Sequence, residues 1–343
     1  MESHKDCRKS KWIVWSMRFL LLATLLSVVL PVRGQASNPL AQSGLHGGVS
    51  RSKTGPDDLQ RCVDGAMVVL ANHSVQVTSR EMMQRAASTE GSIERSYPPQ
   101  TTDELERMYE IFVEAAHRGD AAAQINVAMA SLAGWGTEQN AGAALFWLNE
   151  AARQGSPLAY FDLGVLYQNG CGVRQDYSEA ARYFKLGAQT NHAPSQVDLG
   201  YLYDQGLGVA RDQAQAAAWY RRAAEQGLAQ AQFNLADLLV RGEGLRRDEA
   251  AALSWFQKAA RQGHTTAQLM LAAMYAQGRG TVRDLRLAYE WLTLARLAGD
   301  VRAEVQLQPI EARLSAAEIA EARAQALRLL QPSSAATTVV VLR

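Results

Sequence analysis

The stretch LGVLYQNGCGVRQDYSEAARYF at residues 163–184 is answered 36 residues later by LGYLYDQGLGVARDQAQAAAWY at 199–220. The two segments share Leu-Gly, Leu-Tyr, a Gly-x-Gly, an Asp, and an Ala with an aromatic residue three positions on. Stepping by 36 from Gly119 gives Gly155, Asn191, Gly227, Gly263 and Gly299. Gly and Asn best tolerate a left-handed backbone after a helix C-terminus, so one requirement explains the rule and its exception.

The other columns keep this register. Four residues past each start lie Ala123, Ala159, Ser195, Ala231, Ala267 and Ala303; eight past lie Val127, Leu163, Leu199, Leu235, Leu271 and Leu307. Glycine pairs flank one variable residue: Trp135, Cys171, Leu207, Glu243 and Arg279. Asn140, Asp176, Asp212, Asp248 and Asp284 follow, placed to cap a second helix. An aromatic column, Trp147, Tyr183, Trp219, Trp255 and Trp291, completes the unit and reads as the structural core of the repeat. Small residues against large ones let neighbouring helices approach and interlock. A helix pair cannot bury its own apolar face, so units stack.

The pattern predicts an all-α fold of helix-loop-helix repeats over residues 101–330. Full units run 119–154, 155–190, 191–226, 227–262 and 263–298, with partial caps on both sides. Glu104 to His117 reads as a lone second helix. After Gly299 a first helix is expected to stop near Gln308, before Pro309. Ser315 and Glu318 then offer a capping box for a terminal helix to about Leu330. Residues 331–343 read as a frayed tail.

The N-terminal part reads differently. Phe19 to Leu30 is apolar and follows basic residues; Pro31 and Gly34-Gln35-Ala36 come next. This is the layout of a signal peptide over residues 1–36, which predicts a secreted or periplasmic protein. An uncleaved N-terminal anchor would be the only membrane attachment. Residues 37–56 read as a flexible linker, and 57–100 as an unassigned, partly helical region. The whole chain of 343 residues carries a net charge of +1, and residues 1–36 hold six basic groups against two acidic ones. The remainder is therefore at −3, which argues against nucleic acid as a partner.

The quoted segments, with LLVRGEGLRRDEAAALSWFQKAARQG at 238–263 and the looser LAGWGTEQNAGAALFWLNEAARQG at 132–155, resemble Sel-one-like repeats, relatives of the tetratricopeptide repeat. The resemblance implies a right-handed α-solenoid and a role in protein–protein interaction. Secreted bacterial members with this resemblance include host-contact factors and periplasmic regulators of signalling or exopolysaccharide secretion. A cysteine-rich branch has been linked to β-lactam binding, which gives an enzyme-class alternative: β-lactam or peptidoglycan hydrolysis. This chain lacks that branch's cysteine pattern.

The residues themselves carry little chemistry. Gly47 to Thr54 approaches a phosphate-binding loop, but Ser52 stands where a second Gly is needed. No His-Glu or Cys-His pair has metal-ligand spacing, so neither metal nor cofactor is expected. The histidines, including His192 and His264, read as surface residues. Cys62 and Cys171 either form a disulfide or remain free thiols. The expected reading is a non-catalytic scaffold.

Its binding face is expected on the first helices, at offsets 7, 10 and 14 from each unit start. There the residues are polar and change from unit to unit: Asn126/Met129/Ala133, Asp162/Val165/Asn169, Asp198/Tyr201/Gln205, Asn234/Asp237/Arg241 and Met270/Ala273/Gln277. Asn169, Tyr201, Gln205, Asp237 and Arg241 are the candidate contacts for a protein or peptide. Trp135, inside its Gly-x-Gly loop, either faces solvent and joins them or packs onto the adjacent unit.

Overall fold

The computed structural model describes residues 102–330. Among them are thirteen α-helices and no strands. In chain order they are α1 (Thr102–His117), α2 (Ala121–Ala133), α3 (Ala141–Arg153), α4 (Pro157–Asn169), α5 (Tyr177–Gln189), α6 (Ala193–Gln205) and α7 (Gln213–Glu225). Then come α8 (Ala229–Arg241), α9 (Glu249–Arg261), α10 (Thr265–Gln277), α11 (Leu285–Leu297), α12 (Val301–Glu311) and α13 (Ala316–Leu329). Consecutive helices pack as pairs, giving a solenoid of helical repeats. The chain divides into two compact units, whose described parts are residues 102–228 and 229–330.

The helix ends follow the column logic. Asn140, Asp176, Asp212, Asp248 and Asp284 are the N-caps of α3, α5, α7, α9 and α11, each accepting from backbone N–H groups of the first turn. Asn191 adopts a left-handed φ of 65°, alone among the described non-glycine residues. It does so in the column that Gly fills elsewhere, as the sequence requires. The terminal helix α13 opens with the Ser315–Glu318 capping box.

The second glycine of each pair has a separate reason to be glycine. A Cβ on Gly208 would collide with the backbone of Tyr177, and one on Gly280 with that of Glu249. The loops at Gly136, Gly172, Gly208 and Gly280 therefore sit directly on the start of the preceding second helix, which is how those repeats dock on the ones before them.

Two expectations need correcting. Helix α12 runs through Pro309 to Glu311 instead of stopping near Gln308. Proline deprives the carbonyl four residues back of its partner, and here that residue is the exposed Val305, where water can serve. The aromatic column is also not uniformly core. Trp147, Tyr183 and Trp291 are buried, but Trp219 and Trp255 are only half-buried. Arg222 and Lys258 lie over those two rings, at 4.6 and 3.7 Å from the centroids. The fully enclosed column is the next residue along: Leu148, Phe184, Tyr220, Phe256 and Leu292. Phe184 and Tyr220 face Gly164 and Gly200, where an added Cβ would meet the rings at 2.5 and 2.7 Å. Ala128 and Ala272 hold the register of those glycines, and the smaller Leu148 and Leu292 that of the rings. Size is thus matched in four of the five units; in the fifth, Ala236 holds the glycine register opposite Phe256.

Polar contacts complete the seam. The buried Gln124, Gln196 and Gln268 donate to the carbonyls of Ala116, Ala188 and Ala260 at the ends of the preceding second helices. In turn Gln154, Gln226 and Gln262 donate to Gln124, Gln196 and Gln232 at 2.8–2.9 Å. These rungs add a second donor to helix-end carbonyls that already accept the backbone N–H groups of Gly119, Asn191 and Gly263, and so tie each first helix to the helix before it.

Candidate functional site

The candidate face is built on the first helix of each unit, because offsets 7, 10 and 14 recur at helical spacing on one side. The structure treats the two halves of the chain differently along it.

In residues 102–228 much of the face is closed. Met129 and Val165 are buried and belong to the core cluster. Asp162 is fully enclosed, and neither carboxylate oxygen has a hydrogen-bond partner. Burial pushes its carboxyl well above the usual range. Asp198, one unit on, is half-buried, and burial raises its carboxyl to about 7. The polar face expected here is therefore interrupted, since core packing has taken offset 10 in two units. What remains accessible is Asn169 and Tyr201, both half-buried, and the exposed Gln205. Burial raises the Tyr201 phenol, with Tyr177, Asp204 and Asp198 adding to the effect. Gln205 donates to the Asp204 carboxylate at 3.0 Å.

In residues 229–330 the face is more open. Arg241 pairs with Asp237 at 2.8 Å, one helical turn away, and also with Glu243 in the following loop. The two candidate charges thus neutralise each other in the free protein and hold a fixed geometry. Ala273 is half-buried and Gln277 exposed.

The loop residues do not face solvent freely. Trp135 is half-buried and Cys171 is fully buried. Arg279 reaches back to Glu249 at 2.8 Å. The cause is the tight docking of each loop on the preceding helix, which encloses the residue between the glycines. Cys171 is disulfide-bonded; Cys62, its partner in the first of the two sequence readings, lies outside the described residues. The signal peptide, the linker, the 57–100 region and the 331–343 tail also lie outside them.

Of the described histidines, His117 is exposed as expected, His192 is half-buried and His264 is buried, contrary to the surface expectation. His192 and His264 are the N-caps of α6 and α10. His264 is buried; its Nδ1 accepts from the Ala267 N–H at 3.1 Å, its Nε2 faces Gln230 at 3.2 Å, and its ring stacks on Phe233. Burial lowers its pKa to about 4. The clue was available: Asp120, Ser156 and Asp300 hold the same register and are N-caps.

Among the described residues no group of three or more His, Cys, Asp or Glu is placed to hold a metal. No described helix is long and apolar enough to cross a membrane. A shallow cleft of about 750 Å³, lined by Tyr167, Arg174, Tyr177 and Gly208 among others, includes none of the candidate residues.

Comparison with known proteins agrees with this geometry. A model of the Sel1 repeat matches residues 121–156, 157–192, 193–228, 229–264 and 265–300. No curated protein matches the sequence. The fold is similar to a protective antigen from uropathogenic Escherichia coli displaying an SLR fold, with 29% identity and a TM-score of 0.60. That match covers 74% of this chain and 56% of the antigen, so the chain spans little more than half its relative's length. It is also similar to a Sel1 repeat protein from Oxalobacter formigenes, with 29% identity and a TM-score of 0.57 over 68% of this chain and 94% of that one. With five consecutive matched repeats in the register its own columns define, the chain belongs to the Sel1 repeat family.

Proposed function

We propose that the chain is a non-catalytic scaffold that binds a protein or peptide on its first-helix face, outside the cytoplasm. Sel1-repeat proteins are typically interaction scaffolds. One observation carries the reading for this chain. The caps and small residues recur from unit to unit, and glutamine rungs in three of them, while the accessible positions of the face change from Asn169 to Tyr201 and Gln205 to Asp237 and Arg241. Positions the fold constrains repeat themselves; accessible ones that vary in charge and shape are free to be shaped by a partner.

Two features support an oxidising compartment: the signal-like N-terminal sequence and the disulfide at Cys171. A similar protein in uropathogenic Escherichia coli is a protective antigen, which fits the same placement.

Site-specific photo-cross-linking tests the face. A photoreactive residue at Arg241 or Gln205 should capture a discrete partner in intact cells, and one at the exposed Phe146, on the second helix α3, should not. Equal capture at all three positions, or none, counts against the reading. Amino-terminal sequencing of the mature protein checks export and is expected to begin after Ala36.

A further inference from the structure

Within residues 229–330 a cavity of about 250 Å³ opens between α10, α11 and α12. It lies on the face already described. Ala273 and Gln277 contribute offsets 10 and 14 of one unit, and Gln306 and Pro309 offsets 7 and 10 of the next. Its floor is apolar, with Ala272, Leu292 and Ile310 all buried. Small residues there leave room that a larger side chain would fill.

Two arginines, Arg283 and Arg313, line the cavity, and no acidic residue does. Neither guanidinium has an ion pair or hydrogen bond among the described residues. Several other arginines in this half are engaged, Arg241 with Asp237, Arg279 with Glu249, Arg286 with Glu321 and Arg302 with Asp300, while Arg246 and Arg261 do not line this cavity. The cavity thus combines a dry floor, two uncompensated forked donors and two amide side chains, Gln277 and Gln306. It is smaller than the roughly 300–1,000 Å³ typical of drug-sized ligands, so it suits one side chain with its attached polar group. Guanidinium groups pair best with a carboxylate, which they bind through two parallel hydrogen bonds.

We propose that this cavity receives the C-terminal residue of a partner peptide, an apolar side chain on the floor and the terminal carboxylate on Arg283 and Arg313. Gln277 and Gln306 hydrogen-bond the last peptide units. The proposal rests on the scaffold reading and names the chemistry of its partner.

A fluorescein-labelled peptide ending Ala-Ala-Leu, as free acid and as C-terminal amide, tests it by anisotropy titration against the full chain. The free acid should bind and the amide should bind at least about tenfold more weakly, the scale of one lost charge-assisted contact. Arg283→Ala and Arg313→Ala should each weaken the acid to a similar degree. Both residues are exposed, so the circular dichroism and unfolding midpoint of the variants should match the parent. Free 4-methylpentanoate should compete only at far higher concentration. Equal binding of acid and amide, unchanged binding by either variant, 4-methylpentanoate competing as strongly as unlabelled peptide, or no binding would each overturn the proposal. Such a failure would leave the face reading intact, because cross-linking at Arg241 and Gln205 tests that separately.

Discussion

At the scale of single residues, His264 couples stability to pH. Its Nδ1 must be unprotonated to accept the Ala267 N–H, and its ring is enclosed against Phe233. In the unfolded chain it protonates near its ordinary value of 6.5; in the fold it resists until about 4. Between those values the unfolded state holds more protons. The stabilisation is therefore complete above 6.5 and is lost as pH falls to 4, about 3 kcal/mol in all. Denaturant unfolding from pH 7.5 to 4 should show this loss, and His264→Asn, which keeps a capping side chain, should flatten it. An unchanged slope in the variant would refute the assignment. Asp162 works in the opposite sense. Its raised pKa means that the fold holds the proton longer than the unfolded chain, so its contribution falls as pH rises above 3.8. Asp162→Asn, which places at this position the residue found at Asn126 and Asn234, should gain stability relative to the parent at pH 8, and that advantage should shrink steadily as pH falls toward 3.8. Neither effect was legible in the sequence. A histidine in a cap column looks like a surface residue until the ring behind it, Phe233, is seen to close over it.

At the scale of elements, the helix boundaries were legible because the signals are local. An Asp three residues before the N–H it accepts from, or a Gly or Asn at a left-handed turn, announces itself in the chain. The packing column was misread because Trp255 and Phe256 are adjacent and both aromatic, and sequence alone does not say which points inward. Phe256→Ala should therefore cost roughly 3–5 kcal/mol, and Trp255→Ala clearly less, in chemical denaturation; the reverse order would contradict the packing described. The glutamine rungs also went unnoticed, and one is incomplete. Gln268 Oε1 is buried without a partner, and Ala298 stands where Gln154, Gln226 and Gln262 donate in other units. Ala298 shares their backbone conformation, with φ −77° and ψ 0°. Ala298→Gln should restore the rung and add about 0.5–1.5 kcal/mol; a loss of stability would show that the rungs are incidental.

At the scale of the whole molecule, the repeat register tells which residues share a side of the first helices but not how accessible each one is. Offset 10 is core at Met129 and Val165 and surface at Asp237, a difference set by neighbouring packing that no single column reveals. The Arg283 and Arg313 cavity was missed for a related reason: a loop residue and one beyond the last repeat meet only in the fold. The central claim is that the seam holds the chain together while the variable face binds. Its most direct test is the affinity of the partner captured by cross-linking for the parent and for Arg241→Ala, with an unfolding curve of each. Arg241 is exposed and its pairs lie at the surface, so stability should change by less than about 1 kcal/mol. The account predicts at least about a tenfold loss of affinity at nearly unchanged stability. Affinity equal to the parent, or a loss that merely follows unfolding, would contradict it.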